Sequence, residues 1–289
     1  MNPISLAKHV KSIFSLPEIA LRVNELLNSS EPSYAELEEL ILHDPALTAT
    51  LLKIVNSAYF GFPRKIDTVS RAINIIGLRE LRSLVIAISV TTRFKGIPAE
   101  MVDMDVFWYH SITRGVLARI LAKRLKHNDR ERFFIAGLLS RIGKLIFFSQ
   151  YPSESTEILK LKDQGDDVMT AAEKTIFGFN YAELGAELLK QWGLPASIWE
   201  IIIYQLDPLE SKGSQEDACI LNIAATIANT VEPCAKYDFD FQELEPKFNT
   251  SVLNFLELSP NLINHSIDEA MDQAFEIMSI IRPGATLII

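Results

Sequence analysis

Cysteine is nearly missing from this chain: Cys219 and Cys234 are the only two among 289 residues. Two thiols cannot build a disulfide framework or a cysteine-based zinc site, so both are expected as reduced core residues. Long apolar runs are missing too. The longest, Leu84-Val85-Ile86-Ala87-Ile88 with Ser89 and Val90, falls far short of the roughly 20 residues a membrane span needs. Met1 to Leu16 sets Lys8, His9 and Lys11 inside its apolar stretch and carries no small-residue cleavage pattern. No signal peptide and no membrane anchor are therefore expected, and the location implied is cytoplasmic. A glycine-rich phosphate loop and an alternation of strand and helix patterns are both lacking, which removes support for a nucleotide-binding α/β fold. Basic residues are the minority, 28 against 37 acidic, for a net charge of -9. Such a field repels phosphate backbones, so neither nucleic acid nor an anionic membrane is an expected partner.

What is present is helical periodicity from end to end. Leu16-Pro17 opens a helix with Ile19, Val23, Leu26 and Leu27 on one face. Ser33 three residues before Glu36 has the form of a capping box, with Leu37, Leu40 and Ile41 as the buried stripe. Asp44-Pro45 combines a side-chain cap with proline at the first helical position. That helix turns Leu47, Leu51, Ile54 and Val55 inward and stops at Asn56-Ser57, which either ends the helix or joins a polar network. Tyr59 to Pro63 is an aromatic connector. Thr68 caps a helix through Ile76 that Gly77 closes, and residues 78–93 form a buried helix in spite of the strand propensity of Val85 to Val90. Lys95-Gly96-Ile97-Pro98 is the expected hinge between an N-terminal helical half (1–97) and a second helical half (98–289). Helices are expected over 105–126, 130–148, 153–164, 168–177, 181–191, 195–205, 215–231 and 267–281, with 232–260 irregular. Trp108, Trp199 and Tyr204 are expected core aromatics.

The order of several motifs resembles the HDOD family, a relative of the HD-domain phosphohydrolases. They are Leu16-Pro17, Asp44-Pro45 with Leu47, Asn56-Ser57-Ala58-Tyr59 with Gly61, and Ile66, Ala72-Ile73 and Gly77. Trp108-Tyr109-His110-Ser111, Ala136-Gly137-Leu138-Leu139, Ile142-Gly143-Lys144-Leu145, Glu183-Leu184-Gly185-Ala186 and Trp192-Gly193-Leu194-Pro195 follow. The similarity covers roughly residues 10–230 and implies an all-α, multi-helical fold with an N-terminal subdomain packed on a degenerate HD-like domain. It also implies a bacterial signalling setting beside receiver, kinase or cyclic-dinucleotide enzyme domains.

HD-domain enzymes hold metal with an early His, a His-Asp pair, later histidines and a late Asp, because nitrogen and carboxylate donors bind divalent ions that acidify a water. Carried over residue by residue, the resemblance places the early His on His110 and the pair on Ser140-Arg141. The next His falls on Tyr181, a later pair on Tyr204-Gln205 and the late Asp on Ala225. One imidazole is left. A guanidinium beside a cation is repulsive, so no metal, no cofactor and no catalysis are expected. Ser140 has no base near it in sequence, and His110 alone reads as a helix histidine bonded to a backbone or hydroxyl group.

A buried Arg141 needs a counter-charge. Glu183 is the candidate partner; the other reading is an anion site using Arg141 and Lys144. A basic run, Arg114, Arg119, Lys123, Arg124, Lys126, Arg130 and Arg132 against Asp129 and Glu131, is either a solvated face or a docking patch for an acidic partner. The expected function is a non-catalytic signalling or regulatory module that contacts an unidentified signalling protein in trans. The alternatives are a residual metal-dependent phosphohydrolase and a sensor of a small anion or nucleotide.

Overall fold

A computed structural model describes residues 2–10, 16–29, 32–91, 94, 97–231 and 241–285. Among them every regular element is a helix and there is no strand. Cys234 and the centre of the expected hinge, residues 95–96, lie outside the described residues. Cys219 is buried and unbridged.

The first helices follow their caps. α1 (Pro3–Val10) precedes α2 (Glu18–Leu27), which starts behind Pro17. α3 (Tyr34–Leu42) is capped where Ser33 Oγ accepts the Glu36 N–H at 3.2 Å. α4 (Pro45–Val55) is capped by the Asp44 carboxylate, which accepts the N–H groups of Ala46 and Leu47 at 3.1 and 3.0 Å. The Asn56 side chain both donates to the carbonyl and accepts from the N–H of Ile66, at 2.7 and 2.8 Å, so it closes the aromatic connector locally. α5 (Val69–Thr91) bends sharply at Gly77, whose φ of 84° is cheap only without a Cβ. Val85 to Val90 is helical and buried, as its neighbours predicted.

The remaining helices are α6 (Met104–Arg124), α7 (Glu131–Leu139), α8 (Ile142–Gln150), α9 (Pro152–Leu159), α10 (Asp166–Phe177), α11 (Tyr181–Gln191), α12 (Ala196–Ile203), α13 (Gln215–Ala228), α14 (Phe241–Leu244), α15 (Thr250–Leu256) and α16 (Pro260–Ile281). α6 is the axis. It is apolar on nearly every side because α7, α13 and α16 cover it.

Three expectations need correction. The helix expected over 130–148 is two helices, α7 and α8, divided at Ser140-Arg141. The region 232–260 is not irregular throughout, since α14 and α15 lie within it. The last helix begins at Pro260, seven residues early, with Ser259 Oγ as its cap at 3.3 Å from the Leu262 N–H.

Two glycine crossings set the site geometry. A Cβ on Gly137 would lie 2.5 Å from Gly115 Cα, and one on Gly143 would lie 2.0 Å from the Tyr181 carbonyl oxygen. α7 therefore crosses α6 backbone to backbone, and α8 crosses α11 in the same way. Among the described residues one stretch, 131–150, is long and apolar enough to cross a membrane by composition, but 83% of its apolar 18-residue window is buried inside the protein and the α7–α8 break divides it.

Candidate functional site

Those crossings bring Arg114 of α6 and the first turns of α10 and α11 around a cleft of about 500 Å³, with α13 as its far wall and the α7–α8 break behind Arg114. Tyr181, Gln205 and Ala225 line it, and so does Arg114, which sequence reasoning had put in a surface run. Arg114 is 2% exposed. It lies four residues beyond His110 and hence on the same face of α6, the one signal that could have found it. Its guanidinium donates to Ser140 Oγ at 3.3 Å and to Asn229 Oδ1, while its Nε is buried without a partner.

His110 Nε2 stands 2.9 Å from the Val231 carbonyl. Burial, with Arg141 and Arg114 nearby, pushes the imidazole down from 6.5 to about 4, so it is neutral near pH 7. Ser140 is fully buried; its hydroxyl donates to the Gly137 carbonyl at 2.7 Å, and its own carbonyl accepts from Gln205 Nε2 at 2.9 Å. Tyr181 is pushed up to about 12 by burial, so its hydroxyl stays protonated. Lys144 sits 4.6 Å above the Tyr181 ring and 3.8 Å from Asp166, and burial lowers it to about 8. Asp166, at the start of α10, also accepts from Asn229 Nδ2 at 2.7 Å. Burial alone would raise its carboxyl, but Lys144, Arg141 and Arg114 overcome that and hold it below the usual range. Glu173 accepts the Tyr181 N–H at 2.8 Å, and burial raises its carboxyl to about 7.

Three placements differ from expectation. Glu183 does not pair with Arg141; it closes a capping box with Asn180, accepting the Asn180 N–H at 2.8 Å. Arg141 faces the Phe107 ring at 5.7 Å, and its Nε is buried without a partner. Tyr204 is the half-buried residue that caps the end of α12 and is absent from the cleft lining, since adjacent residues point in different directions and Gln205 is the one turned to the cleft. Trp108 is core, whereas Trp199 is half-buried under Lys190. His110, Ser140, Arg141, Tyr181, Gln205 and Ala225 do gather at one place.

The basic run is not an open patch. Arg119 bonds Glu131 at 2.5 Å and lies 4.0 Å from the centre of the Tyr59 ring. Arg124 and Lys123 reach Glu269 at 2.9 and 3.9 Å, and Arg132 reaches Asp217 at 2.8 Å. Only Lys126 and Arg130 remain exposed without a carboxylate among the described residues. Glu131 belongs to the run itself, whereas Asp217 and Glu269 come from α13 and α16, far along the chain.

Among the described residues no three His, Cys, Asp or Glu side chains gather as metal ligands. At positions where the resemblance to HD-domain enzymes calls for ligands stand a hydroxyl, a guanidinium, a phenol and an amide, with a second guanidinium and an ammonium beside them. These groups do not fit a divalent ion: one neutral imidazole and one carboxylate already paired with Lys144 cannot outweigh three neighbouring cations.

The HDOD domain model matches residues 13–208. A crystal structure of an HDOD domain protein of unknown function from Geobacter sulfurreducens superposes with a TM-score of 0.70 at 23% identity, covering 96% of each chain. One from Shewanella amazonensis, whose name proposes a phosphohydrolase, superposes at 0.76 with 23% identity over 96% of this chain and 98% of that one. At such identity the likeness establishes the fold. An uncharacterized protein of Treponema pallidum is 26% identical over 197 residues, 67% of this chain and 37% of its own. The chain thus spans little more than a third of that curated relative, and 36% of YuxH from Bacillus subtilis.

Proposed function

The chain belongs to the HDOD family, and on that premise we propose that it is a non-catalytic regulatory binding module that acts through contact with a protein partner in signalling. One observation carries the reading: Arg114, Arg141 and Lys144 converge where the resemblance to HD-domain enzymes calls for metal ligands. Three cations disfavour a metal that would acidify a water there, and Ser140 donates to a backbone carbonyl and, among the described residues, is hydrogen-bonded by no His, Asp or Glu. A protein partner is our reading of the setting that the resemblance implies; the relatives, in which the matched region is part of a longer chain, are compatible with it. The halves 1–97 and 98–289 are the units we assign to the module, joined near residue 97.

The test is turnover. The purified chain, assayed with phosphate monoesters and diesters in the presence of Mn²⁺, Fe²⁺, Ni²⁺ or Mg²⁺, is expected to release phosphate at the rate of buffer alone. Metal-dependent turnover that disappears in His110→Ala would contradict the reading and favour the residual hydrolase.

A further inference from the structure

A chain with a net charge of -9 nevertheless gathers positive charge at and behind this polar cleft: Arg114 and Lys144 are buried and Arg141 is half-buried. Among the described residues no carboxylate comes within 4.0 Å of the guanidinium of Arg114 or of Arg141. Lys144 has only Asp166, at 3.8 Å. Buried cations without counter-ions are costly, and guanidinium is the group best shaped to take a phosphate.

We propose that this cleft binds the phosphate group of a small phosphorylated molecule, and that the Asp166 carboxylate holds the phosphate's place when none is bound. The inference rests on the non-catalytic reading, since a metal at the same spot would exclude it. Arg114 lines the cleft and spends its donors on two neutral acceptors, Ser140 and Asn229, leaving Nε free. Asp166 is a fitting placeholder. Its side chain is 47% exposed, so it can swing toward water, and the two groups that hold it, Lys144 and Asn229, are donors that a phosphate oxygen would use equally well. Lys247 adds an exposed cation at the rim, against the exposed Asp167. The volume of about 500 Å³ leaves room for an organic body as well as the phosphate. That body would lie along α13, where Asn222, Ala225 and Thr226 face the cleft and Gln205 Oε1 is a buried acceptor without a donor.

Calorimetric titration of the full chain with inorganic phosphate, adenosine monophosphate and adenosine tests this. Both phosphate-bearing probes are expected to bind and adenosine is not. Asp166→Asn should tighten them about tenfold by removing the competing charge, and Arg114→Met should weaken them at least tenfold. Tighter binding of the monophosphate than of phosphate places the organic body on α13, while equal affinities identify free phosphate as sufficient; either supports the site. Adenosine binding as tightly as its monophosphate, or no binding of any probe, overturns it. If Arg114→Met does not fold, Asp166→Asn decides alone: unchanged or weaker affinity refutes the placeholder role. Hydrolysis of the monophosphate during titration would remove the non-catalytic reading and this inference with it. Silence in both assays would remove the site alone.

Discussion

Replacing Arg119 with methionine is expected to cost about 3–5 kcal/mol, the loss that follows when one member of a buried ion pair is left without the other. Glu131 is 3% exposed, and its two oxygens are shared between Arg119 at 2.5 Å and the Tyr59 hydroxyl at 3.1 Å. Arg119 also donates to the Tyr59 carbonyl at 3.4 Å while its guanidinium covers the ring. Burial lowers the Arg119 pKa, but Tyr59 and Glu131 more than reverse this and hold it above its ordinary value; burial raises that of Tyr59. This triad ties the aromatic connector of the first half to α6 and α7 of the second. In a chain of this size the loss should lower Tm by about 10 °C. Glu131→Gln alone should also destabilise, and the double variant should be less damaged than the two single losses added together. Additive losses in urea unfolding would show that the pair is not coupled.

The second large effect concerns pH. His110 has its pKa lowered from 6.5 to about 4, mainly by burial and then by Arg141 and Arg114, with Asp166 and the Val231 carbonyl opposing. Between those values the unfolded chain binds a proton that the folded chain refuses, so stability rises with pH across roughly pH 4 to 6.5. The full difference is about 3 kcal/mol, absent above 6.5 and constant below 4. Glu173 works the other way. Its carboxyl is raised from 4.5 to about 7 by burial, so the folded chain keeps a proton the unfolded one releases, and stability falls as pH rises through that window. The two largely cancel in the natural protein. His110→Gln removes the first and should unmask the second, giving a variant that loses stability between pH 4.5 and 7. Parallel curves for the two proteins in urea unfolding at pH 4, 5, 6 and 7 would refute the assignment to His110.

Legibility followed locality. Asp44-Pro45 and Gly77 act within one turn, and the structure uses both as the sequence predicts; of the expected Ser33–Glu36 capping box only the Ser33 half forms, where Ser33 Oγ accepts the Glu36 N–H. The Ser140-Arg141 break has no glycine or proline to mark it; it arises where the α6–α7 crossing at Gly115 and Gly137 gives way to the α8–α11 crossing at Gly143 and Gly185. Ion pairs were the least legible. Glu269 and Asp217 are 145 and 85 residues from the arginines they neutralise, and Glu183 was taken locally by Asn180. Family motifs led to His110, Ser140, Arg141, Tyr181, Gln205 and Ala225. Arg114 was hidden inside a run of similar charges, and Asp166 had only its place at a helix start to announce it.

Three cations and one neutral imidazole make this pocket a poor host for a divalent ion. Elemental analysis of the full chain, purified without chelators and equilibrated with Mn²⁺, Fe²⁺, Ni²⁺ and Zn²⁺, addresses that point directly. The cations around Arg114 predict metal far below stoichiometric levels and no change in His110→Ala. A whole ion per chain that is lost in His110→Ala would contradict it.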